Sequence, residues 1–262
     1  MVTVTRVRDV EQLCTLAALD MIELIATLQG PGGGLHGDGI ARVVLTGGGA
    51  GIGTLEQLAH FDRCAAAQED SFPALRIDWS RVHVFFGDER NVPTDHPESN
   101  EGQAREALLE HVNIPEGHIH GFGLGHGISM DEAAESYAAA LDRWAPKGFD
   151  LHLLGMGGEG HINSLFPHTK AVKETKDKVL AVRDSPKPPA ERVTLTLPAV
   201  NSASQVWFLV AGQEKAEAAG HILAGSDFLQ WPAAGARGTA ETVLYLADDA
   251  AGPAGGTPAA NS

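Results

Sequence analysis

The chain has 262 residues, 43% of them hydrophobic and 20% charged, which is typical of a globular protein with one sizeable core. Its formal net charge is -15, and no run of lysines or arginines offsets it. These values argue against a nucleic-acid-binding or anionic-membrane-binding surface, so a phosphorylated ligand would have to be captured by local cations and helix N-termini.

The N-terminal region shows no signal-peptide pattern, and the apolar stretch 13–28 is interrupted by Asp20 and Glu23. That stretch therefore predicts an amphipathic helix and not a membrane span. We expect a cytoplasmic protein without nucleic-acid or membrane partners, either a monomer or a small homo-oligomer.

Short β-type runs alternate with helical patterns along the chain. Strands are predicted at 2–7, 41–45, 82–86, 149–154, 179–182, 193–197, 206–210 and 243–246, and helices at 10–29, 51–69, 99–112, 130–144 and 213–224. Apolar strands followed by helices indicate an α/β fold whose mostly parallel, doubly wound sheet carries helices on both faces. We expect one domain over 1–250 and a disordered tail over 251–262, which is rich in Gly, Pro and Ala.

Ligands of such folds bind beyond the carboxyl ends of the strands, where the loops 46–51, 87–98, 155–168 and 211–215 are expected. In the first loop Gly47, Gly48 and Gly49 lie between a strand and a helix N-terminus. Backbone amides there could bind a phosphate or a sugar carboxylate, although a tight strand-to-helix turn explains the glycines equally well. No Gly-Lys-Ser/Thr follows, so the loop is not a Walker A motif.

The loop 155–161 matches the dinucleotide-binding pattern G-x-G-x-x-G and ends at His161. A nicotinamide site stays open as an alternative because the acidic Asp184 follows, but Pro167 interrupts the helix that this motif requires. A histidine after a glycine loop at a strand end can project into the ligand crevice and accept a proton near neutral pH. The alternative for His161 is a loop histidine that is hydrogen-bonded to the backbone.

Charged residues follow the strand 82–86 and recur in the C-terminal half. Arg90 could bind a carboxylate or phosphate, and Asp88 could orient a histidine or a sugar hydroxyl. Lys187 and Arg192 flank a proline pair, and Lys215 lies at a predicted helix N-terminus, where a cation is unfavourable unless it shares an anion with the helix end. Each of these could instead be a solvated surface charge.

Several catalytic motifs are missing from the sequence, namely the G-x-S-x-G elbow, H-E-x-x-H and a cysteine pair for zinc. His118 and His120 alternate, but an isolated pair of this kind is more often part of a surface strand. We therefore expect neither a metal nor a redox cofactor.

Four segments in this order resemble the 6-phosphogluconolactonase family: 45–49, 86–90 with Pro93 and 96–100, 154–166, and 185–197. The resemblance extends over about residues 2–250 and is most specific in Gly-x-Gly-x-x-Gly-His followed by Ser-Leu-Phe-Pro. It implies a modified Rossmann-like sheet and hydrolysis of 6-phosphogluconolactone without a cofactor. Glucosamine-6-phosphate deaminases are similar, but they usually carry Asn-Glu-Pro where this chain has 164–167, which favours the lactonase.

The resemblance also implies roles for individual residues. His161 would be the general base and Arg90 a cation that contacts the substrate. Independently of the resemblance, we expect Asp88 and Glu159 to be orienting groups, because free carboxylates are weak bases at neutral pH. The family usually has Asp where this chain has Glu159, so the role of that carboxylate is open. The remaining substrate-binding or phosphate-binding residues would be Gly47, Gly48, Gly49, Asn163, Ser164, Lys187, Arg192 and Lys215.

Two other functions are kept as alternatives. A sugar-phosphate deaminase or isomerase would release ammonia or an isomer in place of an acid. A sugar-phosphate-sensing module of a transcription regulator would need a helix-turn-helix and a basic face, which this acidic sequence does not show.

Overall fold

The computed structural model describes residues 1–67 and 75–252. The strands are β1 (Val2–Val7), β2 (Ala41–Leu45), β3 (Val82–Phe86), β4 (Asp88–Arg90), β5 (Ile119–His120), β6 (Leu151–Leu154), β7 (Val179–Val182), β8 (Arg192–Leu195), β9 (Gln205–Val210) and β10 (Glu241–Ala247). The α-helices are α1 (Val10–Leu28), α2 (Gly49–Ala67), α3 (Asn100–Ala104), α4 (Met130–Trp144), α5 (Leu197–Val200) and α6 (Ala216–Ala224). The tail expected to be disordered lies, from residue 253 onward, outside the described residues.

Seven strands form a parallel sheet in the order β1-β10-β9-β6-β2-β3-β5, flanked by helices. Every residue of β2, β3 and β6 is buried, as expected for strands covered on both faces. The chain moves outward from β2 to β3 and β5 on one side, and from β6 to β9 and β10 on the other. The order therefore reverses between β2 and β6, which is where a ligand crevice is expected. The expected α/β fold is confirmed.

A second, antiparallel sheet in the order β4-β8-β7 was not predicted. The segment 87–98 was expected to be a loop, but its residues Asp88–Arg90 form a strand that pairs with β8. The charged residues gave no strand pattern, because Asp88 and Glu89 are buried by specific hydrogen-bond partners and not by apolar packing. Helix α4 packs against β7 and β8, and the hydroxyl of Tyr137 from α4 donates to the Phe86 carbonyl at 3.0 Å.

Several element ends differ from the prediction. Helix α2 begins at Gly49, and residues 68–69 of its predicted length lie outside the described residues. Ser99 caps α3 as expected, but this helix ends at Ala104 and continues as a π-helical turn over Arg105–Leu109. The predicted strand 193–197 ends at Leu195 because Leu197 and the following proline begin α5.

Within residues 1–67 and 75–252, no helix is long and apolar enough to cross a membrane. Helix α1 carries Asp20 and Glu23 as the sequence indicated, and Asp9 caps its N-terminus by accepting the Gln12 amide at 2.8 Å.

A fully buried histidine in β6 predicts acid sensitivity of the fold. His152 is 0% exposed, neither ring nitrogen has a hydrogen-bond partner in the described part of the chain, and burial lowers its pKa to about 3. The unfolded chain would bind a proton near the ordinary histidine value of about 6.5, so the stability tied to His152 is present above that pH and is lost as the pH falls toward 3.

We therefore expect His152→Leu to be less sensitive to acid than the wild type. When the pH is lowered from 7.5 to 5, the free energy of unfolding should fall in both proteins, but the fall should be smaller in the variant than in the wild type by on the order of 2 kcal/mol. Urea denaturation at both pH values measures this difference, with the exposed His126→Leu as the matched control. An equal pH dependence in His152→Leu and wild type would contradict the assignment.

Candidate active site

A cleft opens at the carboxyl ends of the four neighbouring strands β9, β6, β2 and β3. All four loops predicted to carry ligand-binding residues contribute to it. The lining residues are 46–51, Asp88, Arg90, Asn100, Gly155, Met156, His161, Asn163, Arg192, Leu209 and Lys215. The cleft thus lies where the strand order reverses.

The loop 46–51 forms one wall. The hydroxyl of Thr46 accepts the Gly155 amide at 3.1 Å, which links the loops after β2 and β6 across the reversal point. Helix α2 begins at Gly49, and the first amides of a helix have no intrahelical partner. Gly47, Gly48 and Gly49 therefore line the cleft beside the positive end of the α2 dipole.

Strand β4 divides its side chains between the cleft and α3. Because side chains alternate along a strand, Asp88 and Arg90 share the cleft side and Glu89 points the other way. The carboxylate of Glu89 is 4% exposed and accepts the amides of Asn100 at 2.8 Å and Glu101 at 2.9 Å, at the N-terminus of α3. Burial raises the pKa of Glu89, although the backbone hydrogen bonds oppose this shift.

Arg90 and Arg192 lie directly opposite each other in the antiparallel β4–β8 pair, and both line the cleft. The side chain of Arg192 is 6% exposed, and burial lowers its pKa. It donates to the carbonyls of Pro189 at 2.9 Å and Lys187 at 3.1 Å, while Nη1 lies 3.8 Å from Asp88 Oδ2. Opposed like charges are destabilising, so this pair favours an anionic ligand in the cleft.

Asn100 belongs to the site but was missed as a site residue. Its amide donates to the Asp88 backbone oxygen at 2.8 Å and to Oδ1 of Asp88 at 3.0 Å, and its Oδ1 accepts from Nη1 of Arg90. It therefore fixes the two cleft-facing side chains of β4 relative to each other. A polar residue in the first turn of a predicted helix is normally interpreted as a capping or solvated residue, so the one signal for Asn100 was its place in the segment 96–100 that carries the family resemblance.

His161 ends the glycine loop after β6, and its ring stacks on Phe166 with centroids 4.4 Å apart. A Cβ on Gly157 would lie 2.1 Å from His161 Nδ1, so only glycine leaves room for the ring. Burial lowers the pKa of His161, while Glu159 and Asp88 raise it and Lys187 lowers it further. The net direction is downward, so the imidazole is neutral at neutral pH and able to accept a proton.

Glu159 lies behind His161 and outside the cleft lining. Its Oε1 is 3.1 Å from His161 Nδ1, without the angle of a well-directed hydrogen bond, and 2.8 Å from Lys187 Nζ. Burial raises the pKa of Glu159, but the Lys187 hydrogen bond and the nearby cations outweigh it, so the net shift is downward. Lys187, expected near the phosphate, instead pairs with this carboxylate, and its side chain is 49% exposed.

This arrangement predicts how the pH dependence of activity responds to Glu159→Gln. The negative charge of Glu159 stabilises the protonated form of His161, so its removal should lower the pKa of His161 further. We expect the acidic limb of the kcat/KM profile to move to lower pH in the variant. The shift is measured against wild type, with the exposed Glu135→Gln as a control. A limb that stays in place would mean that Glu159 does not act on the titrating group.

Asn163 and Ser164 follow His161 but differ in position. Ser164 is 1% exposed, is not among the cleft-lining residues, and donates to Asp88 Oδ2 at 2.6 Å. Asn163 lines the cleft. Eight buried side-chain nitrogen and oxygen atoms have no hydrogen-bond partner within the described ranges, and three of them belong to the cleft-lining residues Arg90 and Asn163. Such a concentration of unpaired polar atoms marks a surface that is completed by a ligand.

Lys215 lies immediately before α6, as its sequence position indicated, and lines the cleft. No residue in the described part of the chain forms an ion pair or side-chain hydrogen bond with its ammonium group. Together with Arg90 and Arg192 it gives the cleft three cations in a chain of net charge -15. Among the residues that the structure describes, no group of three or more His, Cys, Asp or Glu is arranged to hold a metal ion.

The chain is similar to known proteins over most of its length. The family model for glucosamine-6-phosphate isomerases and 6-phosphogluconolactonases matches residues 9–245. The 6-phosphogluconolactonase of Mycobacterium leprae is 48% identical over 80% of this chain and 83% of its own length. The 6-phosphogluconolactonase of Streptomyces coelicolor is 40% identical over 93% of this chain and 91% of its own length.

A solved structure of 6-phosphogluconolactonase from Thermotoga maritima superposes with a TM-score of 0.77 at 27% identity, covering 95% of this chain and 100% of that one. The fold is therefore the one found in such lactonases. Taken together with the relatives at 40–48% identity, these matches show that the chain belongs to the 6-phosphogluconolactonases, lactone-hydrolysing enzymes within the glucosamine-6-phosphate isomerase/6-phosphogluconolactonase family.

Proposed function

We propose that the chain hydrolyses 6-phospho-D-glucono-1,5-lactone to 6-phosphogluconate, with His161 as the general base. The observation that carries this proposal is a neutral, largely enclosed imidazole in a cleft that also contains three cations. The curated relatives that cover most of the chain are lactonases of this kind. The reaction is the hydrolytic step of the oxidative pentose phosphate pathway.

The proposed reaction begins when His161 removes a proton from water. The resulting hydroxide attacks the lactone carbonyl carbon, and negative charge develops on the carbonyl oxygen. Arg90 and loop amides would stabilise this charge. The bond from the carbonyl carbon to the ring oxygen then breaks, and the leaving oxygen takes the proton from His161. A lactone is already reactive, so one base with modest oxyanion stabilisation is enough, and a Lewis acid is not needed.

The phosphate would be bound away from the carbonyl by Lys215 and Arg192, with the first amides of α2 as further donors. The opposed arginines of β4 and β8 and the unpaired Lys215 support an anion in this cleft. Binding energy from the phosphate would position the lactone for attack. Asp88, held by Asn100 and Ser164, would orient the substrate or the adjacent Arg192.

The test is proton release from freshly generated 6-phosphogluconolactone, corrected for spontaneous hydrolysis and measured with and without EDTA. We expect 6-phosphogluconate as the product and equal rates with and without chelator. Loss of activity on chelation, with rescue by zinc or magnesium, would contradict the metal-independent mechanism. Release of ammonia from glucosamine 6-phosphate without lactone hydrolysis would favour the deaminase alternative.

A further inference from the structure

The side-chain amide of Asn163 is buried, lines the cleft and has no hydrogen-bond partner. Neither Nδ2 nor Oδ1 is paired within the described residues. The backbone at Asn163 has φ +48°, a left-handed conformation that asparagine tolerates better than most residues. A Cβ on Gly87 would lie 2.3 Å from Asn163 Oδ1, so the glycine at the end of β3 leaves space for this amide. The chain therefore holds an unsatisfied donor and acceptor on the cleft wall.

The acceptor restricts what the amide can bind. Any oxygen of the substrate could accept from Nδ2, but only a group that carries a hydrogen can satisfy Oδ1. The lactone carbonyl, the ring oxygen and an ionised phosphate have no hydrogen to donate. A sugar hydroxyl both donates and accepts, so it matches an amide whose two polar atoms are both unpaired.

The position of Asn163 indicates which hydroxyl this is. Asn163 and His161 belong to the same loop, are separated by one residue, and both line the cleft. The base must reach the water that attacks the carbonyl carbon, and the hydroxyl nearest to that carbon is on the adjacent ring carbon.

We propose that Asn163 determines specificity by binding the hydroxyl next to the lactone carbonyl, so that the enzyme selects 2-hydroxy lactones. This inference rests on the proposed lactonase function. A site built to hydrogen-bond a hydroxyl rejects the analogue that lacks it, because the buried amide is then left unpaired.

The experiment compares 6-phosphogluconolactone with its 2-deoxy analogue in the wild type and in Asn163→Gly. Glycine adopts φ +48° without strain, so the loop can keep its course. The preference is the kcat/KM for the 2-hydroxy lactone divided by the kcat/KM for the 2-deoxy analogue. We expect this ratio to be about ten- to a hundredfold higher in the wild type than in Asn163→Gly. Because the preference is compared between proteins, the different intrinsic reactivity of the two lactones cancels.

Two further variants sharpen the test. Asn163→Asp keeps a carboxylate oxygen as acceptor and should retain most of the preference, which keeps the proposal testable if the glycine variant fails to fold. Asn91→Ala removes a half-buried asparagine outside the cleft, whose amide donates to Glu191 at 2.9 Å, and should leave the preference unchanged. Thermal unfolding of each variant confirms that it is folded.

The outcomes separate this proposal from the proposed function. Equal loss on both lactones in Asn163→Gly would overturn it, because the amide would then act on the water or the carbonyl. Wild-type rates on both lactones in Asn163→Gly would overturn it as well, because the preference would again be unchanged. Loss of the preference in a folded Asn163→Asp would be a third contradiction. If the wild type hydrolyses neither lactone, it is the lactonase function itself that fails.

Discussion

We expect His161→Asn to lower kcat by on the order of a hundred- to ten-thousandfold, because the proposed reaction then lacks its general base. The fold should be retained: the ring packs on Phe166 at the cleft wall, and the change in volume is small. Asparagine cannot accept a proton from water near neutral pH. The measurement is proton release from 6-phosphogluconolactone, with the spontaneous rate subtracted because it would mask a weak residual activity.

The wild-type pH profile tests the same residue without a mutation. Burial lowers the pKa of His161, so the base is neutral at neutral pH and becomes protonated only on acidification. Activity should therefore fall on the acid side with a midpoint below the ordinary histidine value of about 6.5. An inflection well above that value would assign the titration to another group.

His168→Asn is a matched control for His161→Asn. His168 lies in the same loop, has φ +62° and is exposed, so the identical substitution there should leave kcat near the wild-type rate. Both variants should unfold at similar temperatures and bind 6-phosphogluconate. If His161→Asn is folded, binds the product and still turns over at the wild-type rate, Asp88 or Glu159 becomes the candidate base.

The main sheet and the cleft loops could be predicted because their signals are local. Buried strands such as β2 and β3 are short, mostly apolar runs, with only Arg42 and His83 as polar members. The glycine-rich segments after β2 and β6 mark where the chain turns at the sheet edge. The four loops were assigned to one edge of the sheet because the carboxyl ends of parallel strands meet there. The cleft brings together residues of all four loops, among them Gly47, Arg90, His161 and Lys215.

The second sheet could not be predicted because its cause is not local. Asp88, Glu89 and Arg90 contain no apolar residue, and β4 exists only because β8, about a hundred residues later, pairs with it. The placement of Asn100 between Asp88 and Arg90 depends on the same contact. Side-chain pairing across such separations leaves no periodicity in the sequence, which is also why Lys187 was expected at the phosphate and not at Glu159.

Lys215→Ala should have the other large effect, and it should fall on substrate binding. We expect KM for 6-phosphogluconolactone to rise about ten- to a hundredfold, the range of one lost charge-assisted hydrogen bond, with kcat changed much less. An unphosphorylated gluconolactone should be turned over at nearly the wild-type rate. The contrast between the two substrates isolates the contribution of the phosphate.

The structure explains why this variant should report on ligand binding and not on folding. The Lys215 ammonium forms no ion pair or side-chain hydrogen bond with the described residues, so its removal leaves no partner unsatisfied. It also lies at the start of α6, where the helix dipole disfavours a cation, and truncation there should not destabilise the fold. Lys173→Ala, at an exposed position outside the cleft, is the control and should leave KM unchanged. Equal damage to the phosphorylated and unphosphorylated lactones would show that Lys215 supports the cleft or the chemistry, and the phosphate would then have to be assigned to Arg192 and the amides of α2.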